Sequence, residues 1–246
     1  MDYRGIVDSF VSELNEVRSV CHYEPTSTVP SLQIGKLFIY IYGPHTQRRE
    51  AHPQLQTIHI DIDLLVSSKQ KVINRIQGML GVGERIAARD TVAARIDKRV
   101  ALEFQEEHHL QVALPGKYRY GLFYQGDLVS IAVFSGGRRM HNTEDSYRSF
   151  ELLRFCHKGS LNVIGGISKL IDKFVAEFHP SDIMTYADLD WCQQSSLEKI
   201  GFSTVGIKEP QSFRIKSGIR HYMDATDSED GYLVSNSGSL KLKRIL

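Results

Sequence analysis

The sequence predicts a mixed α/β protein, and three observations carry that expectation. Two runs rich in aromatic and branched residues, 118–124 and 128–134, flank Gln125-Gly126-Asp127 and form a hairpin with a three-residue, glycine-containing turn. A strand at 150–156 leads through a loop with paired glycines into an amphipathic helix at 165–178. A further strand at 182–186 follows that helix, so the helix is a crossover and the two strands are expected to be a parallel pair.

The remaining elements follow from the same patterns. Ile6, Phe10, Val11, Leu14 and Val17 fall near helical spacing and predict a helix over 2–20. Pro25 and Pro30 bracket a loop, and LFIYIY within 32–42 predicts one buried strand. In TIHIDIDLL, 57–65, Ile58, Ile60 and Ile62 alternate with His59, Asp61 and Asp63, the pattern of a half-buried strand with a solvated acidic face. Ser67 and Ser68 are placed to cap a helix over 69–80, which Gly81 and Gly83 close. A helix is expected at 95–107, a polar link at 135–147, and a short helix at 195–200 ended by Gly201. Two or three antiparallel strands around a polar turn at 224–231 complete the chain. The change of pattern near residue 86 suggests a small α/β region over 1–85, followed by a larger domain over 86–246.

Composition narrows the function classes. Of 246 residues, 41% are apolar and 24% charged, the balance of a globular protein, and no apolar run approaches a membrane span. The first ten residues carry early acidic charge and lack the apolar core of a signal peptide. Cys21, Cys156 and Cys192 are too few and too scattered for a disulfide framework or a paired-cysteine zinc site, so a reducing, cytoplasmic setting is expected. His45, His52 and His59 lack the spacing of a metal motif. The net charge of +1 announces no global affinity for nucleic acid, and the basic tail Lys241, Lys243 and Arg244 is small.

The segment ELLRFCHKGSLNVIGGISKLIDKF, 151–174, is where chemistry is most legible. Free N–H groups at a helix start suit a phosphate, and glycines let it approach the backbone. The segment resembles motif A of the GNAT acyltransferase superfamily, in which Q/R-x-x-G-x-G/A follows the central strand and holds the pyrophosphate of coenzyme A. The matching run here is Asn162-Val163-Ile164-Gly165-Gly166-Ile167, with Asn first and Ile last. SSLEKIGF, 195–202, is similar to the family's LYEKLGF segment, with Leu197 where a general-acid Tyr often stands. The phrases RVALEFQEEHHLQ, YGLFYQGDLVSIAVFSGGRR, FELLRFCHK, VIGGISKL and YADLDW, in this order over about 86–220, resemble a GNAT-like domain of phages and mobile elements. That domain is often fused behind a very-short-patch-repair nuclease, whose end TIHIDIDLLVSSKQKVINRIQGMLG resembles, although the nuclease's acidic cluster is not visible. Phage Mom-type DNA-modification proteins are a more distant likeness.

The resemblance implies an acyl-CoA donor, acetyl-CoA among them, held by Phe155, Cys156, Asn162, Val163, Gly165, Gly166, Ile167 and Ser168. It implies an amine acceptor, a nucleobase among the candidates, hence DNA as a partner; the other reading is a non-catalytic module binding DNA or protein. Glu151 begins the central strand, where a carboxylate can act as general base; the alternative is an ion pair with Arg154. Asp188 and Asp190 lie past a strand end, where α/β folds place ligands; a turn or cap is the alternative, more so for Asp190. His109 is a candidate proton shuttle or a helix C-cap. Arg138, Gln111 and Trp191 are the substrate-side candidates, with Arg138 open to the plainer role of surface charge. Cys156 sits on an apolar strand as a core thiol rather than a nucleophile. Asp61 and Asp63 resemble a nuclease carboxylate pair but lack a nearby catalytic Lys.

Overall fold

A computed structural model describes residues 3–139, 147–222 and 230–246. In chain order it begins with α1 (Tyr3–Val17), β1 (Val20–Glu24), β2 (Ser31–Ile34), β3 (Leu37–Tyr42), β4 (Gln56–Asp61) and α2 (Ile62–Leu80). Next come β5 (Arg85–Ala87), β6 (Val92–Arg95), α3 (Lys98–His108), β7 (Tyr118–Tyr124), β8 (Asp127–Phe134), β9 (Arg138–Arg139), β10 (Arg148–His157), β11 (Asn162–Ile164), α4 (Gly166–Phe178) and β12 (Asp182–Asp188). The last are β13 (Ser203–Lys208), β14 (Ser212–Lys216), β15 (Ile219–Tyr222), β16 (Tyr232–Ser235) and β17 (Ser239–Ile245).

The chain forms two compact units whose segments interleave. Unit 1 gathers Met1–Ile73, Ala187–Ser195 and Ile207–Leu240; unit 2 gathers Asn74–Tyr186, Ser196–Gly206 and Lys241–Leu246. These units differ from a single division at 85/86. Strands from the far end of the sequence complete unit 1, and nothing in local composition marks them.

Unit 1 is built on a four-stranded sheet in the order β1-β2-β3-β4. β2 and β3 are antiparallel, whereas β3 and β4 run parallel from Leu37↔Gln56 to Tyr42↔Asp61. The single strand expected over 32–42 is thus a hairpin, turned at Gly35 with φ of 56°. A positive φ is accessible to glycine without steric cost. The expected strand over 57–65 ends at Asp61, and the chain enters α2 directly; Ser68, expected with Ser67 to cap a helix over 69–80, has a non-helical backbone (φ −147°, ψ 30°) and divides α2 at that point. The face expected to be solvated is covered, with His59, Asp61 and Asp63 all buried. α1 and α2 are tied by Lys69, which reaches Glu13 and Ser9. A three-stranded sheet, β15-β14-β16, also belongs to this unit.

The second architecture is an eight-stranded mixed sheet in the order β13-β17-β12-β10-β8-β7-β6, with β9 beside β10. Its centre is the expected parallel pair, β10 with β12. β7 and β8 form the expected hairpin, but the turn has two residues: Tyr124 pairs with Asp127. Gln125 and Gly126 both have positive φ, 51° and 92°, the signature of a type I′ turn whose twist matches the strands. α3 starts later than 95 because residues 92–95 pair with β7 as β6, and Asp97 caps the helix by accepting the Arg99 N–H at 2.7 Å. Successive side chains of β8 face opposite sides. Ile131 and Val133 pack with Phe104 of α3, while Phe134 stacks on Phe174 of α4 at 4.1 Å between ring centroids. Helices therefore flank both faces. Of the link expected at 135–147, residues 140–146 lie outside the described residues, as does 223–229, most of the polar turn expected at 224–231.

Candidate functional site

The central pair parts early. β10 and β12 pair in parallel over Ser149↔Asp182, Phe150↔Ile183 and Glu151↔Met184. From Leu152 to His157, β10 pairs on its other edge with β8, and the register shifts between Leu152 and Arg154. A shift of this kind bends a strand and increases its twist. Beyond Glu151 the edge of β10 that met β12 has no strand pairing among the described residues. One tie persists there: the Thr185 hydroxyl donates to the Leu152 carbonyl at 2.8 Å. Glu151 occupies the vertex, its N–H donating to Ser135 Oγ at 2.9 Å. The anticipated alternative partner, Arg154, donates instead to the carbonyls of Val112 and Leu153.

From β10 the chain passes through β11, which runs parallel to β5, and into α4. The Asn162 N–H donates to the Glu84 carbonyl at 2.9 Å, fixing the approach. Gly165 is the N-cap, left-handed at φ 78° and ψ 5°, with no side chain capping the helix and no acidic residue in its first turn. A helix start lacks intrahelical partners for its first N–H groups, and its dipole favours an anion. The two glycines serve different needs. Gly165 supplies the positive φ, whereas a Cβ on Gly166 would lie 3.2 Å from Leu122 and Val163, so its absence lets α4 sit close to β7. Val163 is buried and anchors β11, while Ile167 and Ser168 are half-buried in the first turn of α4. The Lys169 ammonium donates to the carbonyls of Ala88, at 2.8 Å, and Thr91.

Phe155 meets His157 edge-on near the end of β10, and Cys156 packs against the Phe104, Ile131 and Val133 cluster. His157 was not singled out by sequence. Burial pushes its pKa down to about 4, so the ring is neutral. Ser130 Oγ donates to the Cys156 carbonyl at 3.1 Å and lies 3.0 Å from His157 Nδ1, which places the ring proton on Nδ1. Its only sequence signal was a polar residue ending an apolar strand.

The other candidates are placed as follows. His109 ends α3: its N–H donates to the Gln105 carbonyl, and its Nδ1 accepts the Gln111 N–H at 3.0 Å. The His109 and Gln111 pair is therefore a local turn. Arg138, on β9, pairs with Ser149 and is exposed. Asp188, Asp190 and Trp191 belong to unit 1. Asp188 is the turn residue, its carboxylate accepting the Asp190 N–H at 2.9 Å, while Trp191 is buried and donates its N–H to the Asp188 carbonyl.

Asp190, read as a ligand-site candidate or, more readily than Asp188, as a turn or cap, joins a buried ionic network in unit 1. Arg48 donates to both oxygens of Asp61 (2.6 and 3.0 Å) and to Asp190 (3.0 Å); Arg220 donates to Asp61 (2.8 Å) and twice to Asp63 (2.7 and 3.0 Å). The free oxygen of Asp190 accepts the N–H and hydroxyl of Ser237. Beneath Arg48 lies the Tyr42 ring, 4.3 Å from the guanidinium carbon. Tyr42 and His59 Nδ1 are 2.7 Å apart, and burial, with Arg48 adding to it, pushes the His59 pKa down to about 4. The neutral ring and the Tyr42 hydroxyl share this hydrogen bond, and the Tyr42 oxygen also accepts the Arg49 N–H at 3.1 Å. The same unit covers the outer edge of β4: the Gln193 amide both accepts the Thr57 N–H and donates to the Thr57 carbonyl, and the His59 N–H donates to the Asp190 carbonyl.

Among the described residues, no group of three or more His, Cys, Asp or Glu is arranged to hold a metal, and no helix is long and apolar enough to cross a membrane. No family model and no curated protein matches the sequence. Solved structures that align with it include the IAA acetyltransferase from Bacillus cereus ATCC 14579, at 17% identity and a TM-score of 0.38 over 63% of this chain and 99% of that one. Ard1 from Thermoplasma volcanium aligns at 12% identity and a TM-score of 0.42 over 64% and 98%. A GNAT family acetyltransferase from Elizabethkingia anophelis with acetyl-CoA bound aligns at 9% identity and a TM-score of 0.37 over 64% and 99%.

Proposed function

We propose that this chain is a GNAT-type N-acyltransferase that moves an acyl group from an acyl-CoA to an amine. The observation that carries the reading is the parting of β10 from β12 immediately past Glu151, on a strand that leads into an uncapped helix start at Gly165. An edge of β10 without a strand partner offers main-chain groups to an extended pantetheine arm, and the first N–H groups of α4 suit its pyrophosphate. Gly165, exposed at the N-cap, leaves that helix start without a capping side chain, which fits the group. Bound there, the thioester supplies an activated acyl carbon.

Glu151 takes the proton released as the amine nitrogen attacks that carbon, directly or through one water. The carbon–sulfur bond breaks, and the thiolate departs as coenzyme A. With Leu197 in the position where the resembling family often has a tyrosine, the proton that neutralises the thiolate comes from water. The acceptor we assign is an amine, and the likeness to mobile-element proteins points to a nucleobase, with DNA as the partner that presents it.

A thermal-shift titration with acetyl-CoA and with CoA tests the donor half. Saturation at about one hundred times Kd stabilises a folded protein by about 2.7 kcal/mol, a rise of several degrees. Gly165→Asp is expected to abolish the rise, because it sets a carboxylate at the anion site. Its forced left-handed backbone costs about 1–2 kcal/mol in the ligand-free protein, and Gly165→Ala controls for that cost. No stabilisation of the wild type by either ligand would overturn the reading. For the acceptor half, DNA retardation in gels should weaken from 50 to 200 mM salt, as phosphate contacts require.

A further inference from the structure

We infer that Thr185 is a positioning residue whose hydroxyl sets the point at which β10 and β12 part, and with it the width of the donor slot; the inference rests on the acyltransferase reading for its functional consequence. Main-chain pairing in the central pair stops at Glu151↔Met184. The next two residues in register are Leu152 and Thr185. At this step the Leu152 carbonyl receives a side-chain hydroxyl, at 2.8 Å, in the place where a continuing strand would offer an N–H. Both residues are buried, Leu152 4% and Thr185 6% exposed, so water is a poor substitute for that partner. A buried carbonyl left unpaired costs about 1–3 kcal/mol. The hydroxyl removes that cost without requiring the strands to stay together.

The other edge of β10 changes at the same residue. Leu152 pairs with Phe134, and the register with β8 shifts before Arg154. Leu152 is thus held on both sides at the step where the strand bends: by the β8 ladder through its main chain, and by Thr185 through its carbonyl. Glu151, the proposed base, is one residue earlier. Thr185 therefore fixes the geometry on which the donor slot and the base both depend, without touching either reactant. Valine has nearly the same shape as threonine and lacks only the donor. In Thr185→Val the Leu152 carbonyl must either recruit an N–H from β12, which closes the slot by one step, or remain unpaired.

Two measurements on the full chain test this, each with Thr185→Val and Thr185→Ser. Calorimetric titration with CoA is expected to show affinity lowered about tenfold in Val, the worth of one such hydrogen bond, and returned to within about twofold of wild type in Ser. Amide exchange of the ligand-free proteins is expected to change at residues 152–154 in Val and to return to the wild-type pattern in Ser. Wild-type binding that persists unchanged in Val would overturn the donor-slot role, and unchanged exchange at 152–154 in Val would overturn the structural role. A wild type that binds no CoA defeats the acyltransferase reading and the slot with it, while the exchange measurement still decides whether Thr185 sets the vertex. Should Val fail to fold, Thr185→Cys, with a weaker donor of similar size, takes its place.

Discussion

Arg48→Met is expected to destabilise the fold by about 3–5 kcal/mol, the range for stripping a partner from buried charges, whereas Asp190→Asn in the same network should cost under about 1 kcal/mol at pH 7.5. The asymmetry follows from counting. Three carboxylates, Asp61, Asp63 and Asp190, share two guanidiniums, so the buried set holds one surplus negative charge. Removing Arg48 leaves three carboxylates facing Arg220 alone. Removing the charge of Asp190 balances the set, and Asp190 is the least compensated member: it accepts one bond from Arg48, and its other oxygen meets neutral Ser237.

Burial pushes the Asp190 pKa up to about 6, with Arg48 opposing and the neighbouring Asp188 reinforcing the rise. The folded chain therefore holds this proton more tightly than the unfolded chain, whose carboxyl titrates near 3.8. The resulting stabilisation is full below the unfolded pKa and is lost as pH rises through about 6, a span of about 3 kcal/mol. His59 and His157 act in the opposite sense. Each is held near 4 in the fold against 6.5 unfolded, so stability falls as pH drops below 6.5. Between pH 6 and 4 the aspartate offsets part of that loss, and Asp190→Asn should show a steeper acid decline than wild type. Urea unfolding from pH 4.5 to 8, followed by Trp191, the single tryptophan of the chain, reads both effects. Equal losses in the two variants, or an acid slope unchanged by Asp190→Asn, would show that the charge count does not govern this network.

Gly83→Ala should be the most damaging of the small substitutions in unit 2, at about 3 kcal/mol, with CoA stabilisation lost alongside. A Cβ on Gly83 would lie 1.8 Å from the main-chain carbonyl oxygen of Ser160, a contact that no side-chain adjustment relieves. Ser160 lies in the turn between β10 and β11, and the Asn162 N–H two residues on is bonded to the Glu84 carbonyl. Pushing Ser160 away moves the strand that delivers Gly165 to the start of α4. Gly78→Ala provides the contrast. It stands in α2 with nothing within 4 Å of its Cβ position, and alanine there should stabilise the helix by up to about 1 kcal/mol. Paired melting curves with and without CoA decide between a steric role for Gly83 and mere loop flexibility, which would make the two substitutions alike.

What the sequence disclosed and what it concealed divide along physical lines. The β7–β8 hairpin, the parallel pair and the glycine-led start of α4 were legible because each is written in residues close together in the chain. The division of labour within the glycine pair was not legible: the expected close approach was that of a ligand, whereas Gly166 admits β7 and Gly165 supplies a positive φ. The ionic network was illegible because Arg48 and Asp190 are 142 residues apart. His59, Asp61 and Asp63 carry the alternation of a solvated face, and periodicity reports which residues share a face, not what covers it. The helical start at Ile62 and the hairpin at Gly35 were missed for a smaller reason: apolar residues stand on both sides of each, and pattern alone does not mark where one element gives way to the next.

The amide of Gln193 has a consequence for solubility. An outer strand with unpaired N–H and C=O groups is a template on which another chain can add a strand, and repeated addition is the route to fibrous aggregates. Gln193 closes that route at Thr57 by imitating one residue of a neighbouring strand, and the Asp190 carbonyl closes it again at His59. Truncating this one side chain in Gln193→Ala should leave the melting temperature within a few degrees of wild type while light scattering rises with protein concentration. Colloidal behaviour of the chain would then depend on a glutamine far in sequence from the strand it helps to shield.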